Sequence, residues 1–189
     1  MAATYGVSAL LANAYHDDDK ETFDLIFKSV DAGTVVASTF QLVYTLLHTI
    51  PGGRLKVGAG GFDIREEAFD HFANRLSEGA DKAAAFAHAD SIYIVTATTT
   101  IVMGSIQPLL DGGDPESVNI EQEGLDERGF MVVIASIAEA ALESFRAYIG
   151  LTDILPDLGT ETTYTQASER LLSLIPKITY KLERGDKDI

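Results

Sequence analysis

Ile92-Tyr93-Ile94-Val95-Thr96-Ala97-Thr98-Thr99-Thr100-Ile101-Val102 is the stretch whose reading decides the fold. Nine of these eleven residues are β-branched, a composition that favours strand because a branched Cβ loses rotamer freedom in a helix and packs well on a pleated surface. The run that contains them carries no charge from residue 91 to residue 110, far longer than an ordinary strand of about 5–6 residues, and helical patterns flank it. Helix is therefore the expected state, with Pro108 ending it. A strand at 92–102 would instead make the chain α+β.

A second uncharged run, residues 32–53, lies between Asp31 and Arg54. Val35, Val36, Phe40, Val43, Leu46, Leu47 and Ile50 leave it apolar around its whole circumference, which suits a buried helix stopped by Pro51-Gly52-Gly53. About 20 apolar residues also suffice to cross a bilayer. Gln41 and His48 interrupt the first run, however, and Gln107 and four threonines dilute the second, with no lysine or arginine excess marking one side. Burial in a protein core is the expectation, not membrane embedding. The two runs share too little sequence to be assigned as a repeat.

Outward from these runs the chain reads as helices. Residues 4–15 form a short one; Asp18 with Glu21 has capping-box spacing ahead of Phe23, Ile26, Phe27 and Val30 at i, i+3, i+4 and i+7. Asp63 and Glu66 repeat the box before Ile64, Ala68, Phe72 and Leu76, a helix that Gly79 interrupts before Lys82–Ala89. Phe130, Val133, Ile134, Ile137, Ala141, Phe145 and Tyr148 outline one face of a long helix, with Glu139, Glu143 and Arg146 away from it. Thr160 caps a last helix with Ala167, Leu171, Leu174, Ile175, Ile178 and Leu182 inward, kinked at Pro176. The expected architecture is a single all-α domain over 1–189, a bundle of six or seven helices. Residues 33–50, 92–110 and 129–149 are expected at its centre, with a glycine-rich connection at 51–62 and a polar loop at 111–124 internal to it.

Composition restricts function by exclusion. Twenty-nine acidic against fourteen basic residues give a net charge of −15, which opposes direct binding to nucleic acid or an anionic membrane and favours a basic protein or a cation. The absence of cysteine removes thiolate metal sites and cysteine nucleophiles. No basic stretch followed by an apolar run opens the sequence, so a cytoplasmic location is expected.

No motif specifies a reaction. Glycine-Ser-glycine elbows, His-Glu-x-x-His helices and Ser-x-x-Lys pairs do not occur, and no catalytic residue, cofactor or metal ligand is assigned. His16-Asp17-Asp18-Asp19 has metal-like composition, but adjacent aspartates in a turn rarely converge on one point, and a capping turn explains them. Glu67 and His71, at i, i+4, lack the paired Glu-x-x-His of a diiron bundle and read as an exposed helix pair. The acids of 111–123 miss the spacing of a calcium loop. Arg54, Lys56, Gly58, Gly60 and Gly61 offer an anion close backbone approach without the spacing of a phosphate loop or dinucleotide turn; a flexible connection is the plainer reading. His48 joins them as a candidate ligand group, although a lone histidine on an apolar helix is more often a core residue.

Lys177, Lys181 and Arg184 line one face of the last helix, where cations complement the carbonyl end of the helix dipole. That explanation suffices; the alternative is docking on an acidic face such as Asp17–Asp24 of another copy. The function expected first is nonenzymatic protein–protein interaction or assembly as a homo-oligomer, the partner being another protein or a second copy. Behind it stand an acidic nucleic-acid mimic that blocks a DNA-binding protein, and an enzyme or ligand binder whose core site uses His48, Tyr44, Tyr93 or the glycine loop.

Overall fold

A computed structural model describes residues 2–49, 54–57, 60–110 and 124–149. These are helical apart from one hairpin, so the all-α reading holds and the α+β alternative falls. In order they form α1 (Ala2–His16), α2 (Lys20–Ser29), α3 (Ala32–Thr49), β1 (Arg54–Val57), β2 (Gly60–Asp63), α4 (Ile64–Glu78) and α5 (Ala80–Ala87). Then follow α6, made of Ser91–Ile101, a π-helical stretch Val102–Ile106 and a last α turn Gln107–Leu110, and α7 (Glu127–Ile149).

Aspartates start four of these helices. Asp19 accepts from Thr22 N at 3.0 Å, Asp31 from Thr34 N at 2.8 Å, Asp90 from Ile92 N at 3.0 Å and Asp126 from Gly129 N at 2.7 Å. Each satisfies a first-turn N–H that the helix cannot pair internally. The cap of α2 is thus Asp19, one residue later than the capping-box spacing suggested, because Asp18 takes a left-handed φ of 56° in the turn. Asp90→Ala should cost about 1 kcal/mol of stability, read from a urea melt; a loss under a few tenths would show that packing alone starts α6.

The β-branched stretch is helical because burial on one side outweighs its local preference. Ile94, Ala97 and Ile101 face the core, and Thr96 returns its hydroxyl to Ile92 O at 2.8 Å. Pro108 does not stop the helix, which runs on to Leu110. Proline has no N–H and crowds the carbonyl four residues earlier, that of Gly104. The chain widens there instead: Gln107 N bonds Val102 O, five residues back.

At the centre stands α7, buried on all sides from Phe130 to Phe145 and packed against α1, α3, α4, α5 and α6. Residues 33–50 also contribute core through Val35, Leu42, Val43, Leu46 and Leu47. Residues 92–110 do not sit at the centre: α6 buries one face and exposes Ile92, Tyr93, Val95 and Met103. The vacated place belongs to α1, whose Ala9, Leu11, Ala12 and Tyr15 pack beside α7. Gly79 breaks α4 from α5 as its position predicts; a Cβ there would stand 3.0 Å from Arg75 O.

The glycine-rich connection forms an antiparallel hairpin, with Arg54 opposite Asp63 and Lys56 opposite Gly61. The extended piece expected at Leu55-Lys56-Val57 is therefore one strand of a pair. Residues 111–123, the last helix around 160–182, and Lys177, Lys181 and Arg184 lie outside the described residues. No single helix among the described residues is long and apolar enough to cross a membrane. Two bent pairs, Lys20–Ser29 with Ala32–Leu47 and Ala80–Ala87 with Ser91–Ile106, pass by length and composition only when taken together.

Candidate functional site

Two features stand out beneath and upon α6: a polar cavity behind it and an uncharged face in front. The cavity, of about 190 Å³, is walled by five helices: Tyr15 from α1, Arg75, Leu76 and Glu78 from α4, Ala80, Lys82 and Ala83 from α5, Ile94 and Thr98 from α6, and Ser136 and Glu139 from α7, with Gly79 at the α4–α5 break.

Glu139 organises its deep end. Its Oε1 accepts from Arg75 Nη2 at 2.6 Å and from His16 Nδ1 at 2.8 Å, although the residue is only 5% exposed. Burial by itself pushes this carboxyl up, yet the hydrogen bonds and charges of His16 and Arg75 more than offset it and hold the group below the ordinary carboxylate range. The sequence pattern placed Glu139 and Glu143 on an outer face of the long helix; they are buried because α1 and α4 cover that side and bring cations with them. Arg146 answers Glu143 from one turn later, at 2.7 Å.

His16, Glu139 and Glu143 place ligand atoms within 4.8 Å of one another, a spacing that could hold a divalent cation. Both carboxylates already carry a guanidinium, so a metal would have to displace Arg75 and Arg146 from contacts that balance the charge without it. The ion-pair reading is the stronger. His16 itself turns away from the adjacent aspartates to reach α7, so the metal-like run at 16–19 does not act as a unit.

Tyr15 is 2% exposed, and burial above all, with the charge of Glu139, pushes its phenol well above the ordinary tyrosine range. It therefore stays protonated. Its ring carries Lys82 Nζ at 4.5 Å on one side and meets Phe86 edge-on at 5.4 Å. Lys82 also donates to His16 O at 3.0 Å, which ties the cavity mouth to the end of α1.

A second hollow, an apolar groove of about 200 Å³ on the outside of α6, is lined by Ala73, Leu76, Ser77 and Ala80 on one side and Val95, Thr98, Thr99, Val102 and Met103 on the other. It continues the exposed surface of Ile92, Tyr93 and Val95.

The residues singled out from sequence lie elsewhere. Arg54 and Lys56 stand on β1, Gly60 and Gly61 on β2, while Gly58 and the side chain of His48 fall outside the described residues. Neither hollow includes Tyr44 or Tyr93, both more than a third exposed. Tyr93 instead lies against Gly124, where φ is 69° and an added Cβ would stand 2.8 Å from that ring. His71 bonds Ser144 Oγ on α7 at 2.9 Å. Comparison with protein-family models, with curated proteins and with solved structures finds no match to this chain.

Proposed function

We propose that the chain is a nonenzymatic assembly protein that pairs with a second copy of itself across the outer face of α6. The observation that carries this reading is the coincidence of apolar exposure and missing charge. Ile92, Tyr93, Val95 and Met103 are all between 44 and 62% exposed, on a helix with no charged residue between Asp90 and Asp111. Exposed apolar surface of this continuity marks interaction sites.

A second copy fits this face because the face is uncharged, although the net charge of −15 opposes self-association elsewhere on the surface. Two such molecules repel over most of their surfaces, and the α6 face is where they can approach without bringing like charges together. Thr96, Thr99 and Thr100 keep the face low, so two α6 helices related by a two-fold axis can interdigitate Val95 and Met103 with the partner's groove. The acidic-mimic reading is weaker, since it needs displayed carboxylates: Glu139 and Glu143 are buried and Asp24 is held by Arg128 at 2.8 Å.

Light scattering coupled to size exclusion should give a dimer mass at micromolar concentration, strengthened by added salt as repulsion is screened. Val95→Glu with Met103→Glu should yield monomer with unchanged helicity, a loss of at least 100-fold in association. A clean wild-type monomer at high micromolar concentration overturns the proposal.

A further inference from the structure

The outer face of α6 carries the one sulfur atom that the described residues present to solvent. Ile92, Thr96, Thr99 and Met103 recur at i, i+4, i+7 and i+11 along an exposed stripe, and Met103, 62% exposed, lines the outer groove. Of the other two methionines, Met131 is 1% exposed in the core and Met1 lies outside the described residues. The chain has no cysteine to intercept an oxidant first.

A thioether needs no catalytic residue to react with a hydroperoxide, only access. A sulfur lone pair attacks one peroxide oxygen and the O–O bond breaks. That oxygen stays on sulfur as the sulfoxide, while its proton passes to the leaving hydroxide, which departs as water. Sulfur gives up two electrons and the peroxide takes them. In a single molecule Met103 has the access that Met131 lacks.

The product does not suit the place that Met103 takes when two copies pair. The second copy's groove is walled chiefly by Ala73, Leu76, Ala80, Val95 and Val102, and a flexible apolar thioether fits such a wall. A sulfoxide carries a strong acceptor into it, and burying a polar group without a donor weakens association by about tenfold. A two-fold axis places two sulfoxides in one interface, so the full effect is about 100-fold.

We propose that Met103 is a redox switch on self-association: a hydroperoxide oxidises it in the free molecule, the sulfoxide keeps two copies apart, and methionine sulfoxide reductase restores pairing. The switch rests on the α6 pairing and gives it a condition, since the dimer covers Met103 and the monomer exposes it.

Treatment of the full chain with hydrogen peroxide, followed on the same samples by peptide mass spectrometry and light scattering, tests this. Met103 should gain one oxygen about tenfold faster than Met131. It should react about fivefold faster in a dilute, monomeric solution than in a concentrated one, because pairing shields it. The fully oxidised chain should associate about 100-fold more weakly with unchanged helicity, and reductase should return it to the dimer. Met103→Gln, which puts a neutral amide in place of the sulfoxide, should be as weak without peroxide, and Met131→Leu should keep the response. An untreated wild type that is monomeric at high micromolar concentration overturns the α6 pairing and the switch with it. The switch alone is overturned by a wild-type dimer whose association is unchanged once Met103 is fully oxidised, by a Met103 that reacts no faster than Met131, or by a Met103→Gln that pairs as tightly as wild type.

Discussion

Phe86→Ala should remove about 4 kcal/mol of stability, the largest loss expected from any single truncation outside α7. Truncating a buried phenylalanine costs about 3–5 kcal/mol through lost transfer energy and the cavity left behind. Phe86 belongs at the upper part of that range because three helices meet on its ring. Tyr15 of α1 and Phe23 of α2 both meet it edge-on, at 5.4 and 5.1 Å, and such pairs add about 0.5–1.5 kcal/mol beyond area burial. Arg128, at the start of α7, lies over both Phe23 and Phe86 and fixes the arrangement by donating to Asp24 Oδ1 and to Phe86 O. In a chain of this length each kcal/mol lowers Tm by about 2–4 °C, so a fall of roughly 8–16 °C is expected. Leu25→Ala, on a side chain 68% exposed, should change Tm by less than about 2 °C. A loss below about 1.5 kcal/mol for Phe86→Ala in urea would show that the aromatic cluster does not join α1, α2 and α5.

The helices were legible because their signals are local. Periodicity found the core faces of α2, α4 and α7, and Gly79 marked the α4–α5 break. The state of 92–102 was decided by run length over β-branched composition, which is the right weighting for a helix that buries one whole face. What periodicity could not supply was which helices stand inside. An uncharged helix reads as buried all round, yet α6 is half exposed, whereas α7 carries Glu139 and Glu143 and is buried throughout. The difference lies in partners that sequence separates widely: Glu139 is 64 residues from Arg75 and 123 from His16. A carboxylate two residues from Ile137, across the helix from it, looks like solvent-facing charge until those cations are folded against it. The cavity escaped for the same reason, since its polar lining comes singly from five helices. The only local hint was His16, read with its aspartate neighbours when its contact lies across the core.

Removing one cation from that buried group has a predictable effect on acid stability. Arg75→Met should cost about 3 kcal/mol near neutral pH. Breaking a buried pair by deleting one partner typically costs about 3–5 kcal/mol, and the lower end applies because His16 still donates to Glu139 and Arg75 is itself partly solvent-exposed. The sign with pH follows from the carboxyl. In the wild type its folded pKa lies below the ordinary value of 4.5, so Glu139 contributes stability that is fully present above that value and is lost as pH falls through the lower folded one. Without Arg75, burial is opposed by His16 alone, the folded pKa rises toward or past the ordinary value, and the loss on acidification shrinks or reverses, because protonation then relieves an uncompensated buried charge. Urea midpoints measured from pH 3 to 7 should therefore show a shallower acid limb for Arg75→Met, its deficit against wild type being largest near neutral pH and narrowing toward pH 3. Adding Glu139→Gln should return at least half of the stability lost near neutral pH and remove the pH dependence that the carboxyl contributes, because a neutral amide no longer needs a counter-charge in a buried position. An acid limb unmoved by Arg75→Met would mean that His16, not Arg75, holds Glu139 ionised.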